Sequence, residues 1–82
     1  MEQLTRREDV ALLELVTARE TEVIRWIAKG KSTWEISVIL GISERTVKFH
    51  VSLAMQKLNA VSRAHTVAIA ITRGLISIDD PA

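Results

Sequence analysis

Between Ser32 and Leu58 the chain groups side chains suited to one kind of chemistry, the reading of a nucleic-acid duplex. Lys48 is a long cation able to reach guanine O6 and N7, and Arg45 shares its side of the helix. Phe49 offers a ring to a thymine methyl or a sugar, and Ser52 can touch a base edge directly beneath it or through a water. Lys48, Phe49, Ser52 and Arg45 are therefore the candidate base contacts. Lys31, Ser32, Thr33 and Trp34 open a helical run, where backbone N–H groups and the helix dipole favour an anion. With Thr46, Gln56 and Lys57 they form the candidate phosphate contacts, which fix register without reading sequence; Arg63 adds charge farther out. Two alternatives stand beside this: Arg45 and Lys48 as a merely solvated face, and Trp34 as a cover for the core edge. Phe49 weighs against the first, because a phenylalanine among cations and small polar groups on an outward face implies that the face meets something.

Other chemistries find less support. No nucleophile–base pair, paired carboxylates, phosphate-cradling glycine loop or metal cluster is visible, so neither an enzyme nor a cofactor is expected. The absence of cysteine removes disulfides and thiolate metal sites, and fits a reducing compartment. The two histidines, His50 and His65, are far apart, and His50 lies near the core edge as a packing or hydrogen-bonding group. The apolar run Val67 to Ile71 is far shorter than the roughly 18 residues of a membrane span. The N-terminus is charged from Glu2 onward and lacks a signal-peptide apolar region. A cytoplasmic domain follows, with no membrane contact.

These side chains need helices to aim them. With Val47 at zero and about 100° per residue, Val51, Ala54 and Leu58 fall within about 40° of it, and Arg45, Lys48, Phe49, Ser52 and Gln56 collect on the other side. Capping boxes are expected at Thr17 with Glu20 and at Ser32 with Glu35. Ser43 and Ser62 are N-cap candidates, and Glu44 suits the positive end of a helix. Gly30, Gly41 and Gly74 each close a periodic run. The spacing predicts four helices at about 18–29, 33–40, 44–58 and 63–73, the second and third forming a helix-turn-helix about Gly41. The predicted core comprises Val23, Ile24, Ile27, Ile36, Leu40, Ile42, Val47, Val51, Ala54, Leu58, Val67, Ala68 and Ile71. Leu75 to Ile78 is too isolated to build a sheet. The chain reads as all-α: a three-helix core plus a C-terminal helix over residues 16–78. Residues 1–15 form a linker or short amphipathic helix, and 79–82 a tail.

The net charge of +1 hides an uneven distribution. Residues 1–28 balance to −2, residues 29–63 to +4 and residues 64–82 to −1. Positive charge sits on the helix-turn-helix segment, the footprint expected of a polyanion partner. On the last helix, Ala64, Val67, Ala68 and Ile71 are read as inward, leaving Ile69, His65 and Thr72 outward. Small neighbours there would let two copies approach closely, pair by a two-fold, and set two recognition helices about one duplex turn apart.

The strings Thr17-Ala18-Arg19-Glu20, Trp26-Ile27-Ala28-Lys29-Gly30-Lys31-Ser32, Trp34-Glu35-Ile36, Gly41 through His50, Lys57-Leu58 and Gly74-Leu75-Ile76 resemble the LuxR-type C-terminal DNA-binding domain over about residues 16–77. Trp34 and Phe49-His50 are more similar to its acyl-homoserine-lactone-responsive, quorum-sensing branch. The resemblance implies a four-helix domain whose third helix enters the major groove and whose fourth dimerises. It further implies binding to an inverted-repeat promoter element and regulation of transcription, commonly through RNA polymerase. Its base contacts match Lys48, Phe49 and Ser52; its phosphate contacts match Lys31 to Trp34, Arg45 and Thr46. Ser52 departs from members with a long basic residue there, and Leu53 replaces a frequent asparagine. The lactone-binding domain has no counterpart in these residues, which suits either an excised domain or a short regulator.

Two functions follow from different classes. One is a dimeric, sequence-specific DNA-binding regulator. The other is an interaction module that pairs through its last helix with a full-length relative and modulates it. A sigma-factor-like promoter reader is a nearer alternative, but the surface of the last helix argues against it.

Overall fold

A computed structural model describes residues 15–81. Four helices follow one another, α1 (Ala18–Ala28), α2 (Thr33–Leu40), α3 (Glu44–Leu58) and α4 (Arg63–Thr72), with no strand among the described residues. The bounds lie within a residue of those expected. The expected linker or helix at 1–15 falls, Leu15 apart, outside the described residues.

The starts are fixed by side-chain caps. Thr17 Oγ1 accepts from the Glu20 amide at 3.0 Å while Glu20 Oε1 accepts from the Thr17 amide at 3.0 Å. Ser32 and Glu35 repeat this reciprocal arrangement, at 3.1 and 2.8 Å. Ser43 and Ser62 cap α3 and α4. Each cap satisfies donors that the first turn leaves without intrahelical acceptors.

The turn between α2 and α3 depends on backbone handedness. Gly41 sits at φ 68° and ψ 34°, letting the Ile42 amide reach back to Ser37 O at 3.0 Å and the Gly41 amide to Val38 O at 3.3 Å. This Schellman closure stops α2 and redirects the chain into α3 within three residues. Asn59 ends α3 in the same left-handed conformation, at φ 55°, with the Ala60 amide donating to Met55 O at 2.8 Å. Asparagine is the non-glycine residue best able to take that position.

α3 is the central element, packing against α1, α2 and α4. Its buried stripe is Val47, Val51, Ala54 and Leu58, as the wheel predicts. The first half of the stripe joins Val23 and Ile36, with Trp26, Ile27, Leu40, Ile42 and Met55 packed around them. The second half joins Val16, Ile24, Ala70 and Ile76. One helix thus seals two apolar clusters through one face, which forces its opposite face outward.

The phase of α4 corrects the sequence expectation. Its innermost residues are Thr66 and Ala70, with Val67 and Ile69 packed against the core. Ala64, Ala68 and Ile71, expected inside, are exposed, and Ile69, expected outside, is not. The cause is Thr66: its hydroxyl donates to Ser62 O at 2.7 Å, so this polar residue is buried with its hydrogen bond satisfied inside the helix. A hydropathy-based wheel puts threonine outside and rotates the helix accordingly.

The residues after α4 are not a loose tail. Ile76 is buried, and Asp80 Oδ2 accepts from Arg25 Nε and from the Ser77 amide, at 2.8 and 2.9 Å. Lys29 donates to the Asp80 carbonyl. The closing turn is therefore strapped onto α1.

Candidate nucleic-acid interface

The outer flank of α3 is open. Arg45, Lys48, Phe49, Ser52 and Gln56 are all exposed, and Phe49, at 59% exposure, has no element over it among the described residues. The Phe49 and His50 rings lie 6.1 Å apart and tilted by 52°, so the phenyl group is steadied at one edge while its other side faces out. His50 itself turns toward the core edge, as expected; its Nδ1 is buried without a hydrogen-bond partner among the described residues. The flank thus offers two cations, a hydroxyl, an amide and one aromatic ring along a single side of a helix.

At the head of this flank, Ser43 Oγ donates to Thr46 Oγ1 at 2.9 Å and accepts from the Thr46 amide at 3.0 Å, which fixes Thr46 at the α3 N-terminus. The start of α2 supplies a second electropositive end. Thr33 and Trp34 occupy its first two positions, whose amides have no intrahelical acceptor. Lys31 and Ser32 precede them. Trp34 is 61% exposed, which excludes the alternative that it covers the core. Glu35 is the local carboxylate. The Ser32 amide and hydroxyl, with the charge of Lys31, outweigh its partial burial and hold its carboxyl below the usual range, so it stays anionic and folded onto the cap.

Two of the basic residues read as facing a polyanion, Lys57 and Arg63, are engaged within the fold. Lys57, expected to meet phosphate, turns to the opposite helix: its Nζ donates to both oxygens of Glu20, at 2.8 and 3.0 Å. Burial pushes the Glu20 carboxyl up, but the Lys57 hydrogen bond, the Thr17 amide and the Lys57 charge more than offset it, leaving Glu20 below the usual range. Arg63 reaches toward the start of α2, its Nη1 donating to Thr33 Oγ1 at 2.8 Å. Sequence reasoning gave Glu20 only its capping role and Arg63 only remote charge. Partners 37 and 30 positions away leave no local pattern to find.

On α4, His65 and Thr72 lie on the exposed side with Ala64, Ala68 and Ile71. His65 Nδ1 accepts from the Val61 amide at 3.1 Å, so the ring is also part of the local cap. Among the described residues no helix is long and apolar enough to cross a membrane, and no group of three or more His, Cys, Asp or Glu gathers to hold a metal.

Two short helices joined by a tight left-handed turn, the second exposing a cationic, aromatic flank, define a helix-turn-helix DNA-binding domain. The family model described as bacterial regulatory proteins, luxR family, matches residues 14–70, and the chain belongs to that family. It carries the DNA-binding domain of a transcriptional regulator. It is 56% identical over 63 residues to the HTH-type quorum sensing-dependent transcriptional regulator RpaR of Rhodopseudomonas palustris, covering 77% of this chain and 26% of that one. It is 45% identical over 73 residues to the transcriptional activator protein LuxR of Aliivibrio fischeri, covering 89% and 28% respectively. The chain thus spans about a quarter of the length of these relatives. The solved structure of the transcription factor GerE superposes with a TM-score of 0.76 at 37% identity, covering 79% of this chain and 97% of that one.

Proposed function

We propose that this domain binds an inverted-repeat promoter element as a two-fold dimer, with α3 in the major groove of each half-site, and so serves a quorum-sensing regulator. The observation that carries the reading is the uncovered flank of α3, a phenylalanine and two cations opposite a stripe buried against two clusters. Arg45, Lys48, Phe49 and Ser52 meet base edges. Lys31, Ser32, Thr33, Trp34, Thr46 and Gln56 meet the phosphodiester backbone, which sets register before bases are read.

The partner copy docks on the exposed side of α4. That side is now Ala64, Ala68, Ile71 and Thr72, with His65 at its edge. Three of these side chains are short, so two helix axes can approach closely about a two-fold. Contact with RNA polymerase belongs to the same reading, since regulation needs a readout beyond the duplex. The α4 side also serves the second reading, pairing with a longer relative; mixed dimers without affinity for DNA would mark that outcome.

Selection of sites from a random duplex pool tests the proposal. Recovery of a two-fold symmetric sequence with half-site centres about 10 bp, or a multiple, apart is the expected result. Recovery of no preferred sequence would overturn it.

A further inference from the structure

The Glu20–Lys57 pair is not the only contact between α1 and α3. Glu20 is only 2% exposed, yet α1 and α3 already meet through Ile24, Ala54 and Leu58. Burying a carboxylate costs desolvation, offset here by the Lys57 and Thr17 contacts, and apolar substitutes for such pairs are often as stable. What an ion pair supplies, and an apolar contact does not, is direction. Val47, Val51, Ala54 and Leu58 set which face of α3 points outward, and a directional contact adds a finer constraint on its roll. A roll of about 15° displaces an atom roughly 6 Å from that axis by about 1.5 Å. That shift is larger than the roughly 0.5 Å window of donor–acceptor distances in a hydrogen bond to a base. Lys57 sits in the last turn of α3, and Glu20 is itself fixed by the Thr17 cap, so the pair references the roll of α3 to the start of α1.

We infer that Glu20 is a positioning residue for sequence reading: it grips Lys57, sets the roll of the α3 flank, and withdraws Lys57 from the phosphate contacts. This rests on the DNA-reading proposal above and adds to it a residue remote from the duplex.

The test compares the full chain with its Glu20→Gln, Lys57→Met, Lys57→Arg and doubly substituted Glu20→Gln/Lys57→Met variants. Each is titrated against a duplex selected on the parent chain and against a random duplex, over a range of salt, with melting temperatures recorded. Gln keeps the Thr17 cap, so the first variant isolates the charge. Expected are about tenfold losses on the selected duplex for Glu20→Gln and Lys57→Met, a much smaller loss on random duplex, and a double variant no worse than the weaker single. Lys57→Arg retains the preference. If Lys57→Met weakens both duplexes alike and makes the salt slope shallower by about one, Lys57 is a phosphate contact and the inference falls. It also falls if melting temperatures drop while the selected-to-random ratio is kept. A parent chain that binds neither duplex overturns the DNA reading itself, an outcome distinct from a binding parent with indifferent variants.

Discussion

Arg63, the first residue of α4, donates from Nη1 to Oγ1 of Thr33, the first residue of α2, across 2.8 Å. The two helices do not otherwise pack against each other; both lean on α3 and α1. The long guanidinium arm therefore ties the helix proposed to meet a second copy to the end proposed to meet phosphate. In the proposed dimer on DNA, this bond would couple partner geometry to backbone geometry, as a fixed half-site spacing requires.

Lys48→Ala is expected to cost about 1–3 kcal/mol on a selected site and to relax the base preference beneath it, with a smaller loss on random DNA. Quantitative footprinting on the parent and the variant checks this. An unchanged footprint would remove Lys48 from the base contacts.

Lys31→Ala should act differently. It stands beside the α2 N-terminus, so its loss is expected to weaken selected and random duplexes nearly alike and to reduce the salt slope by about one. Affinities at several salt concentrations separate the two lysines. A strongly sequence-dependent loss would reassign Lys31.

Ile71→Asp puts a charge at the centre of the exposed α4 side. An inverted repeat gains from the second half-site by making its binding effectively intramolecular, so about a hundredfold loss is expected on the full site. Affinity for an isolated half-site should be retained, and a gel-shift series on both duplexes reads the difference. Equal losses on the two would mean that α4 does not pair copies.

Most of the segmentation was legible because it is local. Thr17/Glu20 and Ser32/Glu35 announce their caps within four residues, and Val47 to Leu58 announces its stripe by period alone. The exposed site followed, since a flank opposite a buried stripe has nowhere else to point. Two things escaped. Thr66 hides its hydroxyl in its own helix, so hydropathy misjudged the roll of α4 and exchanged Ile69 for Ile71. The Glu20–Lys57 and Arg63–Thr33 contacts join distant segments, and only the folded chain brings them together.

Gly41→Ala tests the turn. An added Cβ would meet nothing within 4 Å, so the cost comes from the left-handed backbone alone, about 1 kcal/mol. The melting temperature should fall by roughly 4–8 °C for a domain of this size. Gly41→Asn should cost less, as Asn59 holds φ 55° in the same chain. A melting temperature unmoved by Ala would show that the turn relaxes into another form.

Acid should destabilise the fold. Glu20, Glu35 and Asp80 all titrate below their ordinary values of 4.5, 4.5 and 3.8. For Asp80 the Ser77 amide is the main cause, followed by the Arg25 guanidinium. Because native pKa values are depressed, the unfolded chain binds more protons in acid. The stability from these groups is complete above the ordinary values and lost as pH falls through the native ones. Glu35 and Asp80 are less buried than Glu20 and contribute less. Thermal melts from pH 7 downward should therefore be flat to about pH 5 and then decline, with Glu20→Gln declining less. A melting temperature that rises on acidification would contradict this.

The Asp80 strap has a consequence for how the molecule approaches its target. It sets one carboxylate against the Arg25 guanidinium and one carbonyl against the Lys29 ammonium, so two cations of the α1 side are held by the fold's own acceptors. In the proposed encounter with DNA, cations held in this way compete less with the α3 flank for the duplex.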